Sequence, residues 1–226
     1  MTDHGILFAT TSPDKFLLAK AEMSGTQFTL TRSPLPIPEI QSVDPLHVAV
    51  YKAKQAHASL GRPVIVVDSG LDVPALMGFP GALLKPLLER AGACSLVRMA
   101  NGSEDRSCAL VDCLVYVTGR QKVRAFVSRT EGRICRMVPV DMARGPSSDI
   151  RTIFIPDGYD QTISNLPPSD YSRFIKSWTE ASAYRKFADW VRRFPGVVRS
   201  DIRRSSKNRP FDAPPGFDGA WKWPSG

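Results

Sequence analysis

The sequence predicts an α/β fold, and three observations carry that expectation. Short apolar, β-compatible runs alternate with segments of helical periodicity. Clusters of Gly, Pro, Ser, Thr and Asp separate them as turns would. The 226 residues are 42% hydrophobic, enough for one large domain, or one domain with an appendage.

In chain order, Gly5–Ala9 reads as a buried strand, Thr10–Asp14 as a turn, and Lys15–Met23 as a helix with Phe16, Ala19 and Met23 on one face. A weaker strand, Gln27–Thr31, runs into the proline-rich stretch Ser33–Pro38, which must be extended. Asp44 then suits an N-cap and Pro45 a first helical residue, with the helix running from Leu46 to about Ser59 and ending at Gly61. Val64–Val67 is the most strongly β segment, and Asp68-Ser69-Gly70 reads as its break. Helices are expected over Leu83–Ala91 and near Leu96, and strands over Cys108–Val117, Val123–Val127 and Thr152–Pro156. Ser169–Phe194 has helical periodicity, with Phe174, Trp178, Tyr184, Phe187, Trp190 and Val191 as an apolar stripe suited to a core. Beyond Pro195-Gly196 the periodicity fails. The expected division is a domain over residues 1–195 and a basic, Pro/Gly-rich tail over 196–226.

Composition excludes several classes. No apolar run approaches the roughly 20 residues that a membrane-spanning helix needs. The opening residues lack the basic and apolar regions of an export signal, so the expected location is cytoplasmic. Cys94, Cys108, Cys113 and Cys135 form no Cys-x-x-Cys pair and read as small buried hydrophobes rather than metal ligands. The net charge is +8, and from Arg173 onward there are twelve Lys/Arg against five Asp/Glu. That quarter could contact nucleic acid or another polyanion, or simply be solvated.

Three features carry chemistry. Thr10-Thr11-Ser12-Pro13-Asp14-Lys15 offers hydroxyls, helix-start N–H groups and an ammonium, which together suit a phosphate. Asp68 and Ser69 follow a buried strand, where a carboxylate can bind Mg²⁺ or orient water. Lys52 and Lys85 lie on helices flanking that strand.

The order of these pieces resembles the inosine triphosphate pyrophosphatase family, which hydrolyses deaminated purine nucleoside triphosphates. The resemblance rests on Ala9-Thr10-x-Ser12-x-x-Lys15, Pro38-Glu39-Ile40-Gln41, Val48-Ala49-x-x-Lys52-Ala53 and Asp68-Ser69-Gly70-Leu71. It continues through Ala75-Leu76-x-Gly78-Phe79-Pro80-Gly81-x-x-x-Lys85, Asp105-Arg106-x-x-Ala109, Glu131-Gly132-x-Ile134 and Phe154-x-Pro156-Asp157-Gly158-Tyr159-x-x-Thr162. It implies an elongated mixed central sheet flanked by helices, two lobes with a cleft between them, and a homodimer. By the same resemblance Thr10, Thr11, Ser12, Lys15, Lys52, Lys85 and Ser69 would face the triphosphate. Asp68 would be the catalytic acid that binds Mg²⁺ and activates water for attack on the α-phosphorus, releasing pyrophosphate.

The departures from the family pattern fall on the site. His47 stands where the family has a metal-supporting glutamate, which weakens the case for Mg²⁺; Val67 replaces the first acid of a pair. Ser12 replaces an asparagine and Asp14 a glycine. The base-reading loop is replaced by Ser148-Asp149-Ile150-Arg151-Thr152, and the later Ser-His-Arg motif is met only by Tyr171-Ser172-Arg173. Candidates for base contact are therefore Asp149, Arg151, Ser172 and Arg173. Three functions stay open: a nucleoside triphosphate pyrophosphatase with an altered base pocket; a metal-independent nucleotide hydrolase using Asp68; and a non-catalytic protein binding nucleotide or nucleic acid.

Overall fold

The computed structural model describes residues 5–137 and 149–205. The strands are β1 (Gly5–Ala9), β2 (Thr29–Ser33), β3 (Val64–Asp72), β4 (Ser107–Val117), β5 (Val123–Ile134) and β6 (Phe154–Pro156). They form one mixed sheet in the order β2-β1-β3-β4-β5-β6. β1 runs parallel to both its neighbours, and β3, β4, β5 and β6 pair antiparallel in turn. The helices are α1 (Pro13–Glu22), α2 (Pro45–Leu60), α3 (Leu84–Ala91), α4 (Ala93–Met99), α5 (Pro168–Ala181), α6 (Ala183–Arg193) and α7 (Pro195–Ser205).

Strand alternation divides the core. On one face Ile6, Phe8, Ile65, Val67, Leu114 and Tyr116 meet α1, α6 and α7 through Ala19, Phe187, Val191, Val198 and Ile202. On the other, Leu7, Val64, Val66, Cys113 and Val115 receive the small residues Ala49, Ala53 and Ala56 of α2, which let that helix lie close to the sheet. A third cluster joins the far end of β3 and β4 to α3, α4 and α5 through Leu71, Leu88, Leu96, Ile134, Phe154 and Phe174. Among the described residues, no helix is long and apolar enough to cross a membrane.

Several elements depart from the sequence expectation. Asp68-Ser69-Gly70 does not break β3, because the ladder to β4 continues from Val64–Val117 to Asp72–Ala109. Tertiary pairing overrides the local turn signal there. β5 runs on to Ile134 for the same reason, whereas Ile150–Thr152 form a 3₁₀ turn ahead of β6. The long C-terminal helix is split at Ser182, whose side chain accepts from the Arg185 N–H and so caps α6. α7 extends the folded unit past the boundary expected at residue 195. Pro195 starts that helix rather than ending the domain, and Val198 and Ile202, one turn apart, enter the core. The expected tail beyond residue 205 lies outside the described residues.

Candidate active site

The cleft begins where β1 stops. β1 and β3 are in register only at Leu7–Val64 and Phe8–Ile65, so β3 runs on with one edge unpaired by strand. The turn after β1 folds over that edge. Ser12 caps α1 by accepting from the Lys15 N–H at 3.3 Å, and Thr10 Oγ1 accepts from the Ser12 N–H at 3.1 Å. Arg32 on β2 holds the turn from behind, donating to the carbonyls of Thr10 and Thr11 at 3.3 and 2.9 Å. Lys15 Nζ reaches the open edge itself, 3.4 Å from the Val67 carbonyl. Further along, Leu71 exchanges both backbone hydrogen bonds with Gly81, at 3.2 and 2.8 Å, and so closes the edge. Between these two closures lie Asp68 and Ser69.

The resulting space is about 610 Å³ and is lined by Thr10, Thr11, Ser12, Lys15, Lys52, Asp68, Ser69 and Lys85, with Glu39, Glu89 and apolar residues completing it. It thus gathers every residue expected at the phosphates, from four separate elements. Lys52, on α2, is the centre of the charged cluster. Its Nζ donates to Glu39 Oε1 at 2.7 Å and to Asp68 Oδ1 at 3.3 Å. Lys85, on α3, is exposed and lies 3.8 Å from Glu89.

Electrostatics follow from burial. Desolvation pushes the Asp68 carboxyl above the usual carboxylate range, against the pull of Lys52 and Lys15. Burial holds the Lys15 ammonium below its ordinary value, partly offset by Asp68 and Asp112. For Lys52, burial works against the charge, but Asp68 and Glu39 outweigh it and leave the group above its ordinary value. The site therefore holds a carboxyl moved toward neutrality beside one ammonium moved toward neutrality and one kept firmly charged.

Two residues outside the expected site belong to it. Glu39 stands in the Pro38–Gln41 motif, and its position as the sole acid in the extended segment facing α2 was the available signal. Asp112, on β4, accepts from Ser69 Oγ at 2.6 Å; its signal was a lone acid interrupting an apolar strand. The expected residues that fall elsewhere are equally clear. His47, on the first turn of α2, is exposed and does not line the cleft. Asp149 caps the 3₁₀ turn and forms a two-pronged ion pair with Arg151, with contacts of 2.6 and 2.8 Å. Ser172 Oγ is committed to the Pro168 carbonyl of its own helix at 2.8 Å, and Arg173 lies exposed, 3.4 Å from Asp170. None of these four lines the cleft.

The donor set bears on Mg²⁺. Among the described residues, no three His, Cys, Asp or Glu side chains are grouped to hold a metal ion. Asp68 and Glu39, meeting on one ammonium, offer two carboxylates. That fits Mg²⁺, which commonly takes one or two carboxylates and completes its shell with water and phosphate oxygens.

The fold and cleft define a class: an α/β protein that gathers a carboxyl and three lysines at the open edge of a sheet strand, under a strand-to-helix turn. The chain belongs to the Ham1 family, whose model matches residues 6–190. It is 30% identical over 188 residues to a protein of Methanopyrus kandleri named dITP/XTP pyrophosphatase, covering 83% of this chain and 96% of that one. Among solved structures it is similar to a nucleoside-triphosphatase / dITP/XTP pyrophosphatase from Mycobacterium abscessus, at 25% identity and a TM-score of 0.62, covering 76% of this chain and 94% of that one. The Staphylococcus aureus Ham1 protein shares the fold, with a TM-score of 0.65 at 20% identity, covering 85% of this chain and 98% of that one.

Proposed function

We propose that the chain is a nucleoside triphosphate pyrophosphatase, converting a triphosphate and water to a monophosphate and pyrophosphate. The observation that carries this reading is Asp68 held by Lys52 in a cleft that also contains Lys15, Lys85 and the Thr10–Ser12 turn. The names of the family relatives supply the substrate class.

In the mechanism the turn and the lysines bind the triphosphate. Ser12, Thr10 and the start of α1 favour anionic oxygens, while Lys15, Lys52 and Lys85 offset charge that builds on the departing pyrophosphate. Asp68, with its pKa raised by burial, is suited to take the proton from a water attacking the α-phosphorus. Asp68 and Glu39 would hold Mg²⁺, which when bound supplies further neutralisation of the phosphates. The altered base pocket is part of the same reading. Asp149 and Arg151, locked together, and the exposed Arg173 are its remaining candidates, because Ser172 already spends its hydroxyl on its own helix. The two-lobed shape and the homodimer are carried over from the family on the same terms, and a cytoplasmic setting from the reading of the opening residues.

A second reading, polyanion binding, draws on one observation. Arg120, Lys122 and Arg124 line a cavity of about 510 Å³ at the β4–β5 hairpin, and Arg199 and Arg203 of α7 line an adjoining one.

The deciding experiment is a product-resolved screen of nucleoside mono-, di- and triphosphates with Mg²⁺, with Mn²⁺ and with chelator. Metal-dependent release of monophosphate plus pyrophosphate is expected. Release of free base or orthophosphate, or retention of nucleotide without turnover, would overturn the assignment.

A further inference from the structure

Ser69 and Asp112 face one another across the β3–β4 ladder. In an antiparallel pair, residues alternate between those that bond to the neighbouring strand and those that do not, and in the latter the side chains lie closest. Leu71 spends both its backbone groups on Gly81 rather than on β4. Ser69, two residues earlier, therefore has the same orientation, and Ser69–Asp112 is one of the close pairs. The 2.6 Å separation of Ser69 Oγ and Asp112 Oδ1 agrees.

That distance falls in the range of a hydroxyl donating to an ionised carboxylate. Burial raises the Asp112 carboxyl above the ordinary range, against the pull of the Ser69 hydrogen bond and the Lys15 charge; it is the geometry that sets the direction, with the Ser69 hydroxyl donating and Asp112 Oδ1 accepting. A serine has one O–H and two lone pairs. With the proton committed to Asp112, which does not line the cleft, Ser69 Oγ has only lone pairs left for the space it does line. Such an oxygen cannot donate to a phosphate. It accepts readily from an O–H donor. The donors that a nucleotide presents next to its phosphates are the sugar hydroxyls.

We propose that Asp112 is a positioning residue that turns Ser69 into an obligate acceptor, so that Ser69 contacts a sugar hydroxyl of the nucleotide rather than its phosphates. This revises the expectation that Ser69 binds phosphate, and it rests on the proposed nucleotide-binding function. Lys15, within the field of both Asp68 and Asp112, marks the phosphate side of the cleft; Ser69 marks the sugar side.

The test is the binding of ITP and GTP, each compared with its 2′,3′-dideoxy form, by calorimetry in EDTA on the full chain. The proteins are the parent, Ser69→Ala, Asp112→Leu and the double variant, with melting curves confirming the fold. The parent should bind the ribonucleotide about tenfold more tightly than the dideoxy form, the effect of one hydrogen bond. Each single variant should lose that preference, with dideoxy binding within about twofold of the parent in Ser69→Ala, and the double variant should lose no more than either single one. Steady-state turnover with Mg²⁺ should show the same loss in KM for the ribonucleotide. A parent indifferent to the sugar, an Asp112→Leu protein that folds and keeps the preference, or equal weakening of both nucleotides in either variant would overturn the proposal. A sugar preference that responds to both variants without pyrophosphate release would leave it standing and sink the pyrophosphatase reading. Failure of the parent to bind either nucleotide would sink both.

Discussion

Gly70 on β3 and Gly81 ahead of α3 meet backbone to backbone: a Cβ on Gly70 would lie 2.6 Å from the carbonyl carbon of Gly81. Gly81 is itself at φ +54, a conformation that side chains rarely adopt, and its own Cβ would drive into the Val43 carbonyl. This contact fastens the segment that carries Lys85 to the strand that carries Asp68. Gly70→Ala should therefore destabilise the protein by about 1–3 kcal/mol, the usual cost of overpacking. Because rigid backbone is the obstacle, the affinity for nucleotide should fall as well. Chemical denaturation together with nucleotide titration measures both.

The Asp68–Lys52–Glu39 cluster predicts a division of labour. Asp68→Asn keeps the shape but removes the proton acceptor, so turnover should fall roughly 100-fold or more, in line with loss of a general base. Lys52→Met leaves two carboxyls without their common partner and should reduce both substrate affinity and turnover. Steady-state kinetics of folded variants check this. Turnover by Asp68→Asn equal to the parent would remove Asp68 from the chemistry.

Arg106 is buried, and it donates to the carbonyls of Ile134, Ala100, Val97 and Cys135 and to Asn101 Oδ1, at 2.6–3.3 Å. It ties α4 to the end of β5 with a planar fork that a lysine cannot reproduce. Arg106→Lys should cost about 3 kcal/mol by leaving several buried acceptors unpaired. A melting temperature close to that of the parent would show that water or a shifted backbone satisfies them.

Asp201 of α7 gives a pH-dependent contribution to stability. Burial raises its carboxyl above the ordinary value, while the Tyr116 hydroxyl, Arg120 and Lys122 pull the other way. A raised acid binds its proton more tightly in the folded state. Its stabilising contribution is thus complete below the unfolded value of about 3.9 and is lost as pH rises through the folded value. Asp201→Asn cannot titrate, and its amide oxygen still accepts from Tyr116. The two proteins should melt alike at about pH 4, and the variant should melt equally well or higher toward pH 8. A variant that is less stable only at high pH would reverse the sign.

The strand–turn–helix units, the Asp44 cap and the cluster of Thr10, Lys15, Lys52, Asp68 and Lys85 were legible because their signals are local or fixed in order. What escaped depends on pairing between distant segments. Asp68-Ser69-Gly70 has turn chemistry by itself and becomes strand only because β4 lies alongside. Asp112 looks like an accident in an apolar run until the ladder sets it opposite Ser69. Val198 and Ile202 belong to the core because α7 turns back over Tyr116, and Pro195 looks like an end unless the next helix is known. The Asp149–Arg151 pair shows the converse: side chains able to contact a base can equally satisfy one another.

The unpaired stretch of β3 has a consequence outside chemistry. A bare strand edge of apolar sequence invites a strand from another molecule and so promotes aggregation. Here Lys15 covers one carbonyl of that edge, Gly81 closes its far end, and the polar Asp68 and the charged Lys52 lie between them. The groups that would bind a nucleotide are thus also the groups that keep the sheet from growing by addition of another chain. Variants with a neutralised cleft should precipitate more readily than their melting temperatures alone suggest.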